Sequence, residues 1–378
     1  MAGKRRGRGE GSIRLRADGR WEASVSRGDG TRKSHYTRTR QEAQRWLAQA
    51  VRARDQGIVL PDERLTVAAY LEQWLMTVAH ELKAGTLQRH AEIARLHIAP
   101  RIGSKKLAQL TPLQVQALYT DLLSSGLAAG TVERVHAVLH KALEDGVRLD
   151  LLPRNVCDRV RVPRPRQREK RVFTREQAHT FLLAVEGDRL EALYVLAVSS
   201  GMRLGELLGL TWRDVDLSCG RLQVRQNLQR DRTTNVLYVE TPKTERSRRE
   251  IVLTPQAVEA LRQHRNRQRQ ERLRAGPLWQ PARDGDLVFT SEVGLPLHPN
   301  FVYNRFLRIC RHADLPRIAF HDLRHTCATL LREAGVNAEV VQAVLGHSDI
   351  RTTLGIYSHV LPAMLDDAAA TMAKVLAG

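Results

Sequence analysis

The amino-acid sequence predicts a multidomain chain, mainly α-helical with small β-sheets. Three observations predict it. The chain has 378 residues, enough for two or three domains with separate cores. Apolar residues alternate with polar ones over residues 11–37 and then recur at helical spacing over most of the remainder. In RVPRPRQREKR (residues 161–171) two prolines oppose regular structure and six cations face one carboxylate, which marks an extended tether between domains.

The elements follow in order. GSIRLR, WEASVS and KSHYTR read as three short strands, with Asp18-Gly19 and Asp29-Gly30 between them as hairpin signals. Thr39 and Glu42 then form a capping box, and Ala43, Trp46, Leu47, Ala50 and Val51 share one helical face, which Gly57 closes. Residues 1–60 are therefore a small sheet-plus-helix domain, preceded by a glycine-rich basic arm. Residues 61–160 read as a four-helix bundle: Thr66, Thr86, Thr111-Pro112 and Thr131 open the helices, and Pro100 and Gly103 end the second. After the linker at 161–171, residues 172–378 are mixed. Thr174 and Gln177 open a helix, RLEALYVLAVSSG is a buried helix ending at Gly201, and GRLQVRQN is a strand. Two further strands lie either side of Lys243 and are joined around it. A long basic helix follows, then helices at 299–312, 323–334 and 337–345.

The formal net charge of +19 points to a polyanionic partner, nucleic acid before an anionic membrane surface. Residues 1–57 hold 15 Lys/Arg against 6 Asp/Glu, so the exposed face of that sheet is expected to lie in a DNA groove. The DNA-facing cations expected there are Arg14, Arg16, Arg20, Arg32 and Lys33, and in the linker Arg164, Arg166, Arg168 and Lys170. No apolar run is long enough for a bilayer, and the basic start lacks the apolar stretch of a secretion signal. Cys157, Cys219, Cys310 and Cys327 form no CxxC pair and no zinc spacing, so they are expected to be reduced core residues of a cytoplasmic protein.

Four separated stretches carry chemistry. SGMRLGELLGL holds Arg203 and Glu206, TPKTERSRREI holds Lys243, HDLRHTCATLL holds His321 and Arg324, and LGHSDIRTTLGIYSHV holds His347 and Tyr357. His321 and His325 are spaced like a zinc pair, but Asp322 stands where a metalloprotease helix needs Glu. Each stretch is generic alone. Together, in the order Arg, Lys, His-x-x-Arg, His, Tyr within about 155 residues, they resemble the tyrosine recombinase family of site-specific recombinases, which includes the phage integrases.

That resemblance implies an arm-type DNA-binding domain, a core-binding domain and a catalytic domain, as in lambda-type integrases. It implies Arg203 and Arg324 as a phosphate clamp, His321 and His347 as further donors or proton relays, and Tyr357 as the nucleophile. Lys243 would be the general acid and Glu206 the group orienting the arginines. Two guanidiniums suit this chemistry because they grip both non-bridging oxygens as charge builds. A tyrosine of pKa about 10 is mostly neutral at pH 7 and needs neighbouring cations to favour its phenolate. The product would be a 3′-phosphotyrosyl link and a free 5′-hydroxyl, which rejoins without ATP or metal; no cofactor is expected. The implied partners are double-stranded DNA at core and arm sites, three further copies of the chain in a tetrameric synapse, a DNA-bending accessory protein and an excision factor. Leu361, Met364, Leu365, Ala368, Met372 and Val375 form one stripe on a tail helix; it either packs on its own domain or, as the resemblance implies, docks in a neighbouring protomer. Two other readings stay open: a type IB topoisomerase that relaxes DNA, and a catalytically silent DNA-binding regulator.

Overall fold

The structure, a computed structural model, describes residues 11–26, 31–55, 64–165, 171–231, 234–240, 249–280 and 285–346. The chain divides into two units, Met1–Gln167 and Arg168–Gly378.

In the first unit, β1 (Ser12–Leu15), β2 (Trp21–Ser26) and β3 (Arg32–Thr37) form an antiparallel sheet in that order. The turn after β1 is built as its Asp-Gly pair predicts: the Asp18 carboxylate accepts the Arg20 backbone N–H at 3.1 Å and Gly19 takes φ +76°. Helix α1 (Arg40–Asp55) opens on the capping box, with Thr39 and Glu42 each accepting the other's backbone N–H at 3.3 Å. Its Ala43, Leu47 and Ala50 pack on Ala23 and Val25, flanked by Ile13, Trp21, Trp46 and Val51. This is the apolar face read from the sequence.

The helices of the first unit have their own core. Helix α2 (Val67–Val78) is capped by the Thr66 hydroxyl, which accepts from the Ala69 N–H at 3.2 Å. Helix α3 (Ala84–Ile93) begins two residues before Thr86, whose N–H bonds Lys83 O within the first turn. It passes without a break through a π-helical turn, Ala94–Ile98, into α4 (Ala99–Ile102). Pro100 therefore does not end the helix. It follows directly on the π-helical turn, where Ala99 N–H bonds Ala94 O and the altered ladder accommodates a residue with no N–H, and the chain leaves at Gly103. Helix α5 (Pro112–Ser124) has the predicted Thr111 cap, closed reciprocally by Gln114. Helix α6 (Ala129–Arg148) starts ahead of Thr131, again because that residue is taken into the first turn. Tyr70, Trp74, Ile98, Val115, Tyr119, Leu122, Leu139 and Leu143 are among the buried side chains. The large apolar members each contribute about 1.5–3 kcal/mol relative to exposure. The Trp74 indole donates to the buried Asp145 carboxylate at 2.8 Å, and Lys141 donates to its other oxygen at 3.0 Å.

The second unit is built on α7 (Arg175–Ala184), α8 (Glu191–Ser200) and α9 (Leu204–Leu208). Helix α8 is buried all round from Ala192 to Val198, as a centrally placed helix must be. Its Tyr194 joins Phe173, Phe181, Phe306 and Phe320 in one aromatic cluster. Strands β4 (Val215–Asp216), β5 (Arg221–Val224), β6 (Asn227–Arg230), β7 (Leu237–Glu240) and β8 (Arg249–Val252) form two sheets, ordered β4-β5-β8 and β6-β7. The strands either side of Lys243 do not pair with each other, contrary to expectation. β7 pairs with β6 and β8 with β5, because Leu222, Val224 and Ile251 share one buried face and burial decides register over proximity in sequence. GRLQVRQN is likewise not one strand, since the ladder stops at Val224 and a different one starts at Asn227.

Helix α10 (Pro255–Ala275) is the long basic helix, yet one face is a buried polar spine. His264 and Gln268 hydrogen-bond Val288 O at 2.7 and 3.1 Å, and Glu271 takes both ends of the Arg189 guanidinium at 2.7 Å. Helices α11 (Pro299–His312), α12 (Asp322–Glu333) and α13 (Ala338–Leu345) match the spans read from the sequence within a residue. Cys157, Cys310 and Cys327 are buried as expected. Cys219 is not: it is exposed in the turn whose N–H groups bond the Asp216 carboxylate. Among the described residues no helix is long and apolar enough to cross a membrane.

Candidate active site

Helix α8 ends on Gly201 in the left-handed conformation, φ +62°. A side chain is excluded there twice, by that φ and because a Cβ would collide with Leu345 Cδ2. The reversal turns the chain into α9 with Arg203 as its N-cap residue. Glu206, one turn later, accepts the Arg203 backbone N–H at 3.0 Å through Oε2 and Arg203 Nη1 at 2.7 Å through Oε1. Arg203 stays 38% exposed at its side chain while Glu206 is buried, so the carboxylate fixes the arginine from beneath and leaves it open to a ligand.

Glu206 has a second cation. Arg249 Nη2 donates to Oε2 at 3.0 Å and Nη1 to Oε1 at 3.4 Å. Burial alone would raise the Glu206 pKa. Arg249 and then Arg203 outweigh it, and the carboxyl is held below its usual range.

Arg324, on α12, is buried at 2% exposure. Its Nη1 donates to Gly201 O at 2.8 Å and its Nη2 to Leu345 O at 2.6 Å. Burial, followed by repulsion from Arg203 and Arg249, lowers its pKa to about 9, so it is still charged at neutral pH. Arg203, Arg249 and Arg324 thus gather around one carboxylate. The cluster carries excess positive charge in a partly dry site.

Helix α13 ends at Leu345 with Gly346 at φ +66° as its left-handed cap. Helix C-termini leave carbonyls unpaired and favour cations. Here Val344 O accepts from Arg249 Nε at 2.8 Å and Leu345 O from Arg324, so two guanidiniums hold two successive terminal carbonyls. The described chain stops at Gly346, one residue before His347.

Of the expected site residues, Arg203, Glu206 and Arg324 are brought together. His321 stands one turn before Arg324 at the start of α12, exposed, with its ring edge-on to His325 at 5.2 Å. Lys243, His347 and Tyr357 lie outside the described residues, as does the striped tail from Leu361 to Val375. Sequence reading missed Arg249. Its one signal was position: it shares with Ile251 the inward face of β8, where a charge needs a buried partner.

In the N-terminal sheet, register places Arg14, Glu22 and Tyr36 side by side on the face away from α1. Arg16 and Arg20 lie over the Tyr36 ring at 5.2 and 5.9 Å, Arg14 pairs with Glu22 at 2.6 Å, and Arg20 pairs with Asp18 at 2.7 Å. Arg32 opposes Ser26 on that face. Lys33 instead opposes Val25, on the face that packs against α1, because side chains alternate along a strand. Arg164 is exposed beyond Arg161, whose backbone is tied to the Gln116 side chain at 2.8 and 3.2 Å. Arg166, Arg168 and Lys170 lie outside the described residues.

Comparison with known proteins agrees with this architecture. Residues 171–364 match the phage integrase family, and residues 66–123 match the phage integrase N-terminal SAM-like domain. The chain therefore belongs to the phage integrase family, and its activity is that of a site-specific tyrosine recombinase acting in DNA integration. A tyrosine recombinase XerC-like protein of Caldanaerobacter subterraneus subsp. tengcongensis is 29% identical over 356 residues, spanning 90% of this chain and 91% of the relative. An integrase of Streptomyces ambofaciens is 29% identical over 392 residues, spanning 98% and 97%. The Tn1549 transposon integrase, solved with transposon right end DNA, superposes with a TM-score of 0.70 at 23% identity over 81% of this chain and 99% of that one. A lambda integrase dimer on a COC′ core site gives a TM-score of 0.57 at 19% identity over 91% and 93%.

Proposed function

We propose that this recombinase cleaves and rejoins DNA by transesterification, with Tyr357 as nucleophile. The carrying observation is the cluster of Arg203, Arg249 and Arg324 around the single Glu206 carboxylate. A buried excess of cations is held at a cost that an anion offsets, and a phosphodiester is the anion of a DNA substrate. Arg203 and Arg324 bind the two non-bridging oxygens. The Tyr357 hydroxyl oxygen bonds to phosphorus as the phosphorus–O5′ bond breaks. His321 relays the phenolic proton, His347 hydrogen-bonds the phosphate, and Lys243 protonates the departing 5′ oxygen. The phosphotyrosyl ester keeps the energy of the broken bond for attack by another 5′-hydroxyl.

In this reading residues 61–160 and 172–378 hold the core site, with the basic linker 161–171 along the phosphates, and a tetramer assembles two duplexes. DNA-bending and excision partners belong to the same reading. Residues 1–60 take arm-type sites through the open face bearing Arg14, Arg16, Arg20 and Arg32; Lys33, on the helix side, is left out. Arg16→Ala with Arg20→Ala should weaken arm-site binding and make log K fall less steeply with log salt, by about one in slope for each phosphate the protein no longer neutralises. An unchanged slope would remove that face from the interface.

The function is tested with two labelled duplexes carrying the element's attachment sequences, incubated with the protein and EDTA. Joined recombinant strands support the proposal. Relaxation of a supercoiled plasmid without joining would favour a topoisomerase, and binding without any strand transfer a silent regulator.

A further inference from the structure

We propose that Arg249 is a positioning residue that couples the phosphate-binding Arg203 to the segment entering His347. The inference rests on the phosphate-clamp reading above and adds a residue to it. All three nitrogens of this guanidinium are engaged. Its two Nη atoms fork onto Glu206 at 3.0 and 3.4 Å, and its Nε reaches Val344 O at 2.8 Å. Its side chain is 6% exposed, and its bonds run to a carboxylate and a carbonyl of the protein itself, which assigns it to positioning.

The bonds form a relay across three segments that are distant in sequence. Val344 O lies in the last turn of α13, one residue before Leu345 ends the helix ahead of Gly346 and His347. Arg249 stands on β8, the first described strand after the segment carrying Lys243. Glu206 lies on α9 and holds both the backbone and the Nη1 of Arg203. A planar fork can satisfy a carboxylate and a separate carbonyl at once. A lysine ammonium, a single point charge, cannot span the two with the same geometry. Removing the fork lets Glu206, and with it Arg203, shift relative to the end of α13. Displacements of that kind cost catalysis even when they occur away from the reacting atoms.

The charged groups facing Glu206 are Arg203 from its own helix, Arg249 from β8 and Arg324 from α12. Arg249 is the largest influence keeping its carboxyl ionised against burial. Without it Glu206 titrates at a higher pH. Its hold on Arg203 is then present at alkaline pH and lost as pH falls through the new, raised pKa.

The test uses the full chain, prebound to a nicked core-site suicide duplex, and compares wild type, Arg249→Lys, Arg249→Met, Arg203→Ala and Tyr357→Phe. DNA affinity, the single-turnover rate of covalent adduct formation and its pH profile are read. Arg249→Lys should bind within about threefold of wild type, form adduct about 10–100-fold more slowly, and show an acid limb displaced upward in pH. Arg249→Met should show the same displacement more strongly. A wild-type rate in Arg249→Lys overturns the inference, as does a slower rate with an unmoved pH profile. Failure of Arg249→Lys to fold or bind makes the residue architectural and equally overturns it. If Arg203→Ala and Tyr357→Phe form adduct normally, the clamp reading itself has failed. If they lose adduct while Arg249→Lys keeps it, only the coupling has failed.

Discussion

Arg324→Ala should lower strand cleavage by about 10³-fold or more and, separately, destabilise the catalytic unit by about 3 kcal/mol. The two losses have different origins. The guanidinium bonds Gly201 O and Leu345 O inside the protein, so its removal strands two buried acceptors. Each unsatisfied acceptor costs about 1–3 kcal/mol. For a unit of this size that corresponds to a fall of about 6–12 °C in melting temperature. The carbonyls take two of five N–H donors, and in the proposed clamp the others serve a phosphate oxygen. Losing such a preorganised donor is what removes the catalytic factor. Arg324→Lys separates the effects. Its charge and one carbonyl bond survive, so much of the stability returns, while cleavage stays down by about 10²-fold for want of the fork. Thermal melts and single-turnover cleavage on the same preparations check both. Equal recovery of stability and rate in Arg324→Lys would reduce Arg324 to a structural strut.

The same arginine shows what the sequence does and does not make legible. His-x-x-Arg marks it, since two residues three apart on a helix face one way. The sequence does not show that the guanidinium is buried against carbonyls of Gly201 and Leu345, because those bonds join α12 to α8 and α13. Local chemistry was readable wherever a cap or an apolar stripe sets it. Thr39, Thr66, Thr111 and Thr174 cap as read, Gly201 ends its helix, and the face of α1 packs as its periodicity demands. Where tertiary packing competes, the local signal loses. Thr86 and Thr131 are drawn into first turns, and Pro100 rides through a helix on a π-helical turn.

Strand pairing was the least legible feature. The ladders β5-β8 and β6-β7 depend on which distant apolar faces meet, and neighbours in sequence are a poor guide to that. Arg249 was hidden for the same reason. In SRREI it is one cation among several, and only the register of β8 shows that it alternates inward onto Glu206. Lys33 is the converse case: basic, in the basic sheet, and yet on the helix side by one residue of register.

Tyr357 is where the proposed chemistry converges. Phe at that position removes one oxygen and keeps the ring. DNA affinity should therefore hold within about twofold while covalent chemistry vanishes, since the phenyl ring offers no nucleophile. The direct measurement is to trap the adduct on a nicked suicide duplex in EDTA, digest it, and identify the DNA-linked peptide by mass spectrometry. The expected result is a 3′-phosphate esterified to Tyr357 and no adduct from Tyr357→Phe. An adduct that persists in Tyr357→Phe, or that maps to any other residue, would contradict the proposed mechanism.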